Sequence, residues 1–411
     1  MNFAATSDLE SRITEKTLCY INYLFFSSIK MRGLMQLTLV VALAAVCYAR
    51  VPGKACEPTV TTASGTHAPA EVCAGELIFE DNFDSFDQYR WQHENTLAGG
   101  GNWEFQWYSN NRTNSYTRDG RLVLKPSLLS DQFGEDFLTS GTLDINGGSP
   151  SEICTNPAFW GCSRTGNPEN ILNPTKSARL RTVESFNFRY GRIEISAKMP
   201  SGDWIWPAIW MMPTRNGYGT WPSSGEIDIV ESRGNRNLVM GGKNIGVENV
   251  GSTLHFGPYV NLNAWDTAHW ERNESPGFNA GFRRYQVDWT PDFLRFSIDG
   301  SEVGFMAPPE GGFWQHGNFG ANAPGVVNPW RFGSKMAPFD QEFYLILNVA
   351  IGGTAYFPDG AQNPDPKPWS NNSPTAMKDF WSQRDRWLPT WQLNENDEAA
   401  MQVDYVRVWA L

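Results

Sequence analysis

Seven short runs alternate apolar and polar residues with a period of two, at 120–125, 190–198, 252–256, 284–289, 293–300, 344–350 and 401–408. That period puts successive side chains on opposite faces of a strand, so each run buries one face and wets the other. Gly, Pro, Asn and Asp separate the runs, the pattern of antiparallel strands joined by turns. Strands of this kind bury their apolar faces by packing sheet on sheet, which predicts an all-β sandwich. One helical pattern stands out downstream, at 375–387, where Met377, Phe380, Trp381 and Arg384 recur at helical spacing. From Leu77 onward no linker or repeat interrupts the pattern, and sandwiches run to ~200–250 residues or more as one domain. The spans 126–176, 232–251 and 306–340 are longer than ordinary connections. Long aromatic loops on a β scaffold point to binding.

The amino-terminal end reads differently. Residues 34–46 form the longest mostly apolar run, with Lys30 and Arg32 before it and Cys47-Tyr48-Ala49 after it. A signal peptide is built this way, and the run is short of the ~20 apolar residues of a membrane span. The expected organisation is an unstructured upstream extension at 1–30, a signal peptide at 31–49, an N-terminal arm with two cysteines at 50–75, and one domain at 76–411. The expected location is secreted and extracellular. Beyond the leader, four cysteines remain at Cys56, Cys73, Cys154 and Cys162. In a secreted chain these imply two disulfides with three possible pairings, of which 56–73 with 154–162 is the most local. A zinc site is the weaker reading, since there is no CxxC spacing or neighbouring His cluster. Glycosylation sequons stand at Asn111, Asn273 and Asn371; a proline after the last two weakens them.

With 33 basic and 44 acidic residues the net charge is −11. No basic block offsets it, which removes the electrostatic attraction that nucleic acids and anionic membranes exert on their partners. A neutral, polyhydroxylated partner fits better. The five histidines are scattered, and no HExxH, GxSxG, P-loop or GxGxxG is present, so neither metal-dependent hydrolysis nor nucleotide chemistry is supported. No cofactor is expected to be required.

The strongest local signal is Glu226-Ile-Asp228-Ile-Val-Glu231. A regular strand places Glu226 and Asp228 on one face but turns Val230 onto that face and Glu231 away from it. A β-bulge near Ile229 and Val230 returns Val230 to the core and aligns three carboxylates on one face. Like charges so close raise at least one pKa. A retaining glycoside hydrolase needs this cost, because it uses a carboxylate nucleophile and a carboxylic acid ~5–5.5 Å apart. Glu226 and Glu231 have the reach to converge, and Asp228 between them can tune both. Trp204, Trp206, Trp210 and Trp221 lead directly into the acids. Flat indoles suit the C–H faces of sugar rings, though some of the four belong to the core instead. His255 can bond a carboxylate or a sugar hydroxyl, or serve as a structural histidine.

Together Ser177-Ala-Arg-Leu-Arg-Thr182, Phe188-Arg-Tyr-Gly-Arg-Ile-Glu194, Trp206-Pro-Ala-Ile-Trp210, the acid motif, Leu345–Gly353 and residues 401–408 resemble glycoside hydrolase family 16. Within it, residues 77–84 and 101–106 are most similar to the invertebrate lipopolysaccharide- and β-1,3-glucan-binding proteins and the related endo-β-1,3-glucanases, or laminarinases. The resemblance implies a concanavalin-like β-jelly-roll sandwich of two antiparallel sheets with long loops and the acids on its concave face. It assigns Glu226 as nucleophile, Glu231 as acid/base and Asp228 as their electrostatic partner. It also implies substrate contacts from Asn114, Arg192, Trp204, Trp206, Trp210, Trp221 and His255, and it likens Asp404 to the carboxylate of a structural calcium site. The chain departs from the family at Phe282-Arg-Arg-Tyr285, where many members read Phe-His-x-Tyr.

Two functions follow. One is a secreted endo-β-1,3-glucanase acting with retention; the other is a pattern-recognition protein of innate immunity that binds β-1,3-glucan, and lipopolysaccharide, without turnover. Both glutamates are present, which favours hydrolysis. The acidic balance offers lipopolysaccharide phosphates no global attraction.

Overall fold

The computed structural model describes residues 55–147, 152–392 and 397–411. The expected upstream extension and signal peptide lie outside the described residues. All seven alternating runs form strands, and among the described residues these assemble into a nine-stranded and an eight-stranded sheet. The inner sheet places Thr62–Ser64, Asn187–Arg189, Phe343–Ile351, Ile205–Pro213, Glu226–Ser232, Asn249–His255 and His269–Asn273 in that order, with Arg179–Arg181 joined to Phe343–Ile351 and Gln92–His93 joined in turn to Arg179–Arg181. The outer sheet centres on Gly191–Lys198, flanked by Arg283–Trp289 and Met401–Trp409. Every pairing within the two sheets is antiparallel; a small third sheet of Gln106–Tyr108, Thr175–Ser177 and Ser127–Leu128 includes one parallel pair, Gln106–Tyr108 with Thr175–Ser177.

The core lies where the apolar faces meet. Ile193, Ile195, Val406 and Val408 from the outer sheet and Ile209, Met211, Ile227, Leu345 and Leu347 from the inner one are all fully buried, each worth ~1.5–3 kcal/mol relative to exposure. Alternation then forces the residues between them outward. On Glu226–Ser232 and Ile205–Pro213 those residues are the acids and the indoles of the motif.

Two disulfides close, Cys56–Cys73 and Cys154–Cys162, the most local of the three pairings. The first lies in the N-terminal arm, which continues into Thr62–Ser64 at the sheet edge. The helical pattern at 375–387 is present but broken, as Ala376–Ser382 and Arg384–Trp387. Gln383 interrupts it with φ −109° and ψ 19°. The long loops hold short helices and hairpins, such as Gly312–His316 and the pair Val239–Met240 with Lys243–Asn244. No helix among the described residues is long and apolar enough to cross a membrane.

Candidate active site

The bulge expected from the motif is present. Against the next strand, Asp228 pairs with Thr253 and Glu231 with Gly251, so three steps on one strand match two on its neighbour. The other neighbour shows the same slip, pairing Trp210 with Asp228 but Ile209 with Val230. Ile227, Ile229 and Val230 are consequently all buried. Glu226, Asp228 and Glu231 share the opposite side, where their charges act on one another.

Each glutamate is oriented by an indole. Trp221 Nε1 donates to Glu226 Oε2 at 2.7 Å, and Trp206 Nε1 donates to Glu231 Oε1 at 2.8 Å. An N–H donor fixes a carboxylate without neutralising it, leaving the second oxygen for chemistry. His255 comes from the adjacent strand, where it pairs with Glu226 in register. Its Nε2 lies 3.2 Å from Asp228 Oδ2, a close ionic contact without the alignment of a hydrogen bond, and 4.0 Å from Glu226 Oε1. The Asn263 carboxamide sits 2.8 Å from the other ring nitrogen.

The electrostatics follow from burial and crowding. Asp228 is 3% exposed. Burial, then the charges of Glu226 and Glu231, push its carboxyl well above the usual range, with His255 opposing. Burial also raises Glu231, partly offset by its Trp206 bond and by His255. For His255 burial disfavours the cation, yet the surrounding acids together push its pKa up to about 9. Burial and crowding thus favour the neutral forms of Asp228 and Glu231, and the same acids favour the imidazolium of His255. Donor atoms of Glu226, Asp228 and His255 lie within 4.8 Å of one another, a spacing that also suits a cation. A ligating imidazole must be neutral, so the acids that favour the His255 imidazolium work against a metal here.

The other expected contacts divide. Trp210 donates to Asn348 Oδ1 at 2.6 Å and lies under the Arg179 guanidinium, next to the acids. Trp206, Trp210, Trp221 and His255 therefore gather at the acid strand, whereas three residues do not. Trp204 is buried between Phe357 and Trp369. Its backbone adopts φ 67°, which breaks the alternation that would have aligned it with Trp206. Asn114 is fully buried, its amide donating to Lys125 O and Ser127 Oγ as a clamp between segments. Arg192 stands on the outer sheet, facing Asp288 at 3.9 Å. Asp404 also lies on the outer sheet, with Ser196 Oγ 3.4 Å away.

Sequence reasoning missed Tyr356, whose ring stacks on Trp206 at 4.1 Å and 5°, with Arg233 over it at 4.0 Å. It also missed Asn263, Asn348, Arg179 and Trp265, the last a half-exposed indole 6.4 Å from the His255 ring. Arg179 was legible as the polar member of the alternating run Ala178-Arg179-Leu180; Tyr356 lies in a loop with no periodic signal. Of the sequons, Asn111 is partly exposed at a turn, while the Asn273 and Asn371 amides already donate to Asn244 O and Phe357 O.

Glycosyl hydrolases family 16 matches residues 164–311, which include the acid strand. The chain is 52% identical over 341 residues to a beta-1,3-glucan-binding protein of Penaeus monodon, covering 82% of this chain and 90% of that protein. It is 35% identical over 367 residues to beta-1,3-glucan-binding protein 1 of Manduca sexta, covering 88% and 69%. Gram-negative bacteria-binding protein 1 of Drosophila melanogaster is 34% identical over 367 residues, covering 86% and 68%. Among solved structures, the laminarinase from Rhodothermus marinus aligns with TM-score 0.49 and 25% identity, covering 82% of this chain and 98% of that one.

Proposed function

The chain belongs to glycosyl hydrolases family 16, and from that premise we propose that it is a secreted β-1,3-glucan-recognising protein whose acid strand cleaves the glucan internally with retention of configuration. The observation that carries this reading is the bulge that aligns Glu226 and Glu231, each held by its own indole.

In the proposed reaction the Glu226 carboxylate attacks the anomeric carbon while Glu231 gives its proton to the departing glycosidic oxygen. A glycosyl ester forms on Glu226 and the sugar alcohol leaves. Glu231, now a carboxylate, takes a proton from water; the water oxygen attacks the anomeric carbon and frees Glu226. Two inversions give retention. The raised pKa of Glu231 supports its role, since an acid/base must hold a proton near neutral pH. Protonated Asp228 and cationic His255 limit the repulsion that a charged Glu226 meets. Trp206, supported by Tyr356, and Trp221 offer rings to the sugar faces, and Trp210 extends that floor. Secretion is supported by the two disulfides, which persist in oxidising compartments.

A second reading, recognition of β-1,3-glucan or lipopolysaccharide without turnover, is favoured by the names of the relatives. The separating experiment incubates the purified protein with laminarin and follows new reducing ends and their anomeric configuration by NMR. Release of β-configured ends supports the hydrolase. Laminarin binding with no release sinks it and leaves the recognition role.

A further inference from the structure

Three exposed aromatic residues, Trp103, Phe159 and Trp160, take no part in the reaction above. Trp160 is 70% exposed, Phe159 50% and Trp103 49%, and the Trp103 and Phe159 rings meet edge to face at 5.2 Å. All three adopt left-handed backbone, with φ between 52° and 58°. Bulky residues rarely do so, and such strain persists only where the surroundings impose it.

Here they do. The Cys154–Cys162 bridge closes the loop that carries Phe159 and Trp160. Arg164 reaches inside it, donating to Phe159 O at 2.8 Å and Leu97 O at 3.0 Å. Thr96 Oγ1 donates to Asn156 O at 2.8 Å. A Cβ on Gly161 would stand 2.1 Å from Asn156 O, so only glycine lets the loop close this tightly. A loop restrained to hold rings in water gains nothing from core packing.

A cavity of about 180 Å³ is lined both by Arg179, which packs on Trp210, and by Gly100 and Asn156, three residues before Trp103 and Phe159 in the sequence. Glu94, Thr96, Thr155 and Arg181 line it as well. Arg179 stands over the Trp210 ring at 4.6 Å, while Gly100 and Asn156 open the turns that lead to Trp103 and to Phe159 and Trp160. The cavity offers charged hydrogen-bonding groups for hydroxyls, and the rings beyond it offer flat apolar faces, the pairing that pyranose rings require.

We propose that Trp103 and Trp160 form a distal subsite, on which glucosyl units of a β-1,3-glucan stack after the chain has passed through the Glu94 and Arg179 cavity. This rests on the glucan reading above and adds a preference for long chains. The test uses the whole chain carrying Trp103→Ala and Trp160→Ala, with Trp160→Phe as the conservative partner and the thermal midpoint as a check on folding. If the double variant does not fold, Trp160→Ala alone serves, since that side chain is the most exposed of the three. Calorimetry measures affinity for long-chain laminarin and for laminaritriose. Laminarin affinity is expected to fall about tenfold, laminaritriose affinity to hold, and Trp160→Phe to restore most of the loss. Equal loss on both probes, or none on either, overturns the subsite while the glucan reading stands. Wild-type protein that binds neither probe overturns both. Loss of binding to purified lipopolysaccharide with laminarin unaffected overturns the subsite and assigns the rings to an amphiphile.

Discussion

The outer strand Gly191–Lys198 and the acid strand Glu226–Ser232 both alternate, and both turn acidic side chains away from the intersheet core, yet their charges are handled oppositely. On the outer strand Glu194 accepts from Tyr405 Oη at 2.7 Å and Gln286 Nε2 at 2.8 Å, and Arg192 faces Asp288. Each charge there has a complementary neighbour. On the acid strand three carboxylates crowd together, one of them 3% exposed, with a single imidazole between them. A fold selected only for stability would disperse that charge. Crowded carboxylates of this kind, with shifted pKa values, are typical of functional sites.

The largest expected break in this comparison is Glu226→Gln. Turnover of laminarin should fall by on the order of 10⁴–10⁶-fold, while laminarin affinity measured by calorimetry stays within a few-fold. Retained turnover would make the two strands equivalent.

Glu231→Gln should cost about 10²–10⁴-fold in turnover and remove the alkaline limb of the pH–rate profile. It should also stabilise. The folded state raises the Glu231 pKa, so wild-type stability declines as pH rises from the ordinary carboxylate range through the folded value. The variant, which cannot ionise, should gain in thermal midpoint over wild type at about pH 8 and lose that advantage near about pH 4. A lower midpoint at both would contradict the crowding.

Removing the imidazole sharpens the comparison from the other side. His255 is raised to about 9 when folded, so its stabilising effect is complete below its ordinary pKa of ~6.5 and is lost as pH rises through about 9. His255→Gln should destabilise by on the order of 2 kcal/mol at about pH 6 and by little at about pH 10. Denaturant titrations at the two pH values check this, and a pH-independent loss would mean a packing role only.

The smallest effect belongs to the outer strand. Glu194→Gln should change stability by no more than ~0.5–1 kcal/mol and leave laminarin hydrolysis untouched, measured on the same preparations. A large change in turnover would show that the sheets are coupled.

The β-sandwich was legible because period-two alternation acts within one strand and needs no knowledge of its partners. The bulge was legible for the same reason, since the six residues from Glu226 to Glu231 cannot satisfy both faces without it. The tryptophans were legible only in part: three of the four gather at the acid strand and Trp204 does not. Trp204 and Trp206 stand two apart in an unbroken run, but a left-handed backbone at Trp204 sends one into the core between Phe357 and Trp369 while the other meets Glu231. The resemblance of Asn114 and Arg192 to substrate contacts likewise did not survive their placement, one sealed between segments and one on the far sheet.

By itself, then, the sequence determined which side chains share a strand face, where that face had to be repaired, and that three acids would meet. Tertiary structure alone decided which aromatic rings line the site, because burial depends on what distant segments lay over a face. Tyr356 behind Trp206 and Asn348 beside Trp210 arrive from 150 and 138 residues away. Long-range packing of this kind leaves no local period to read.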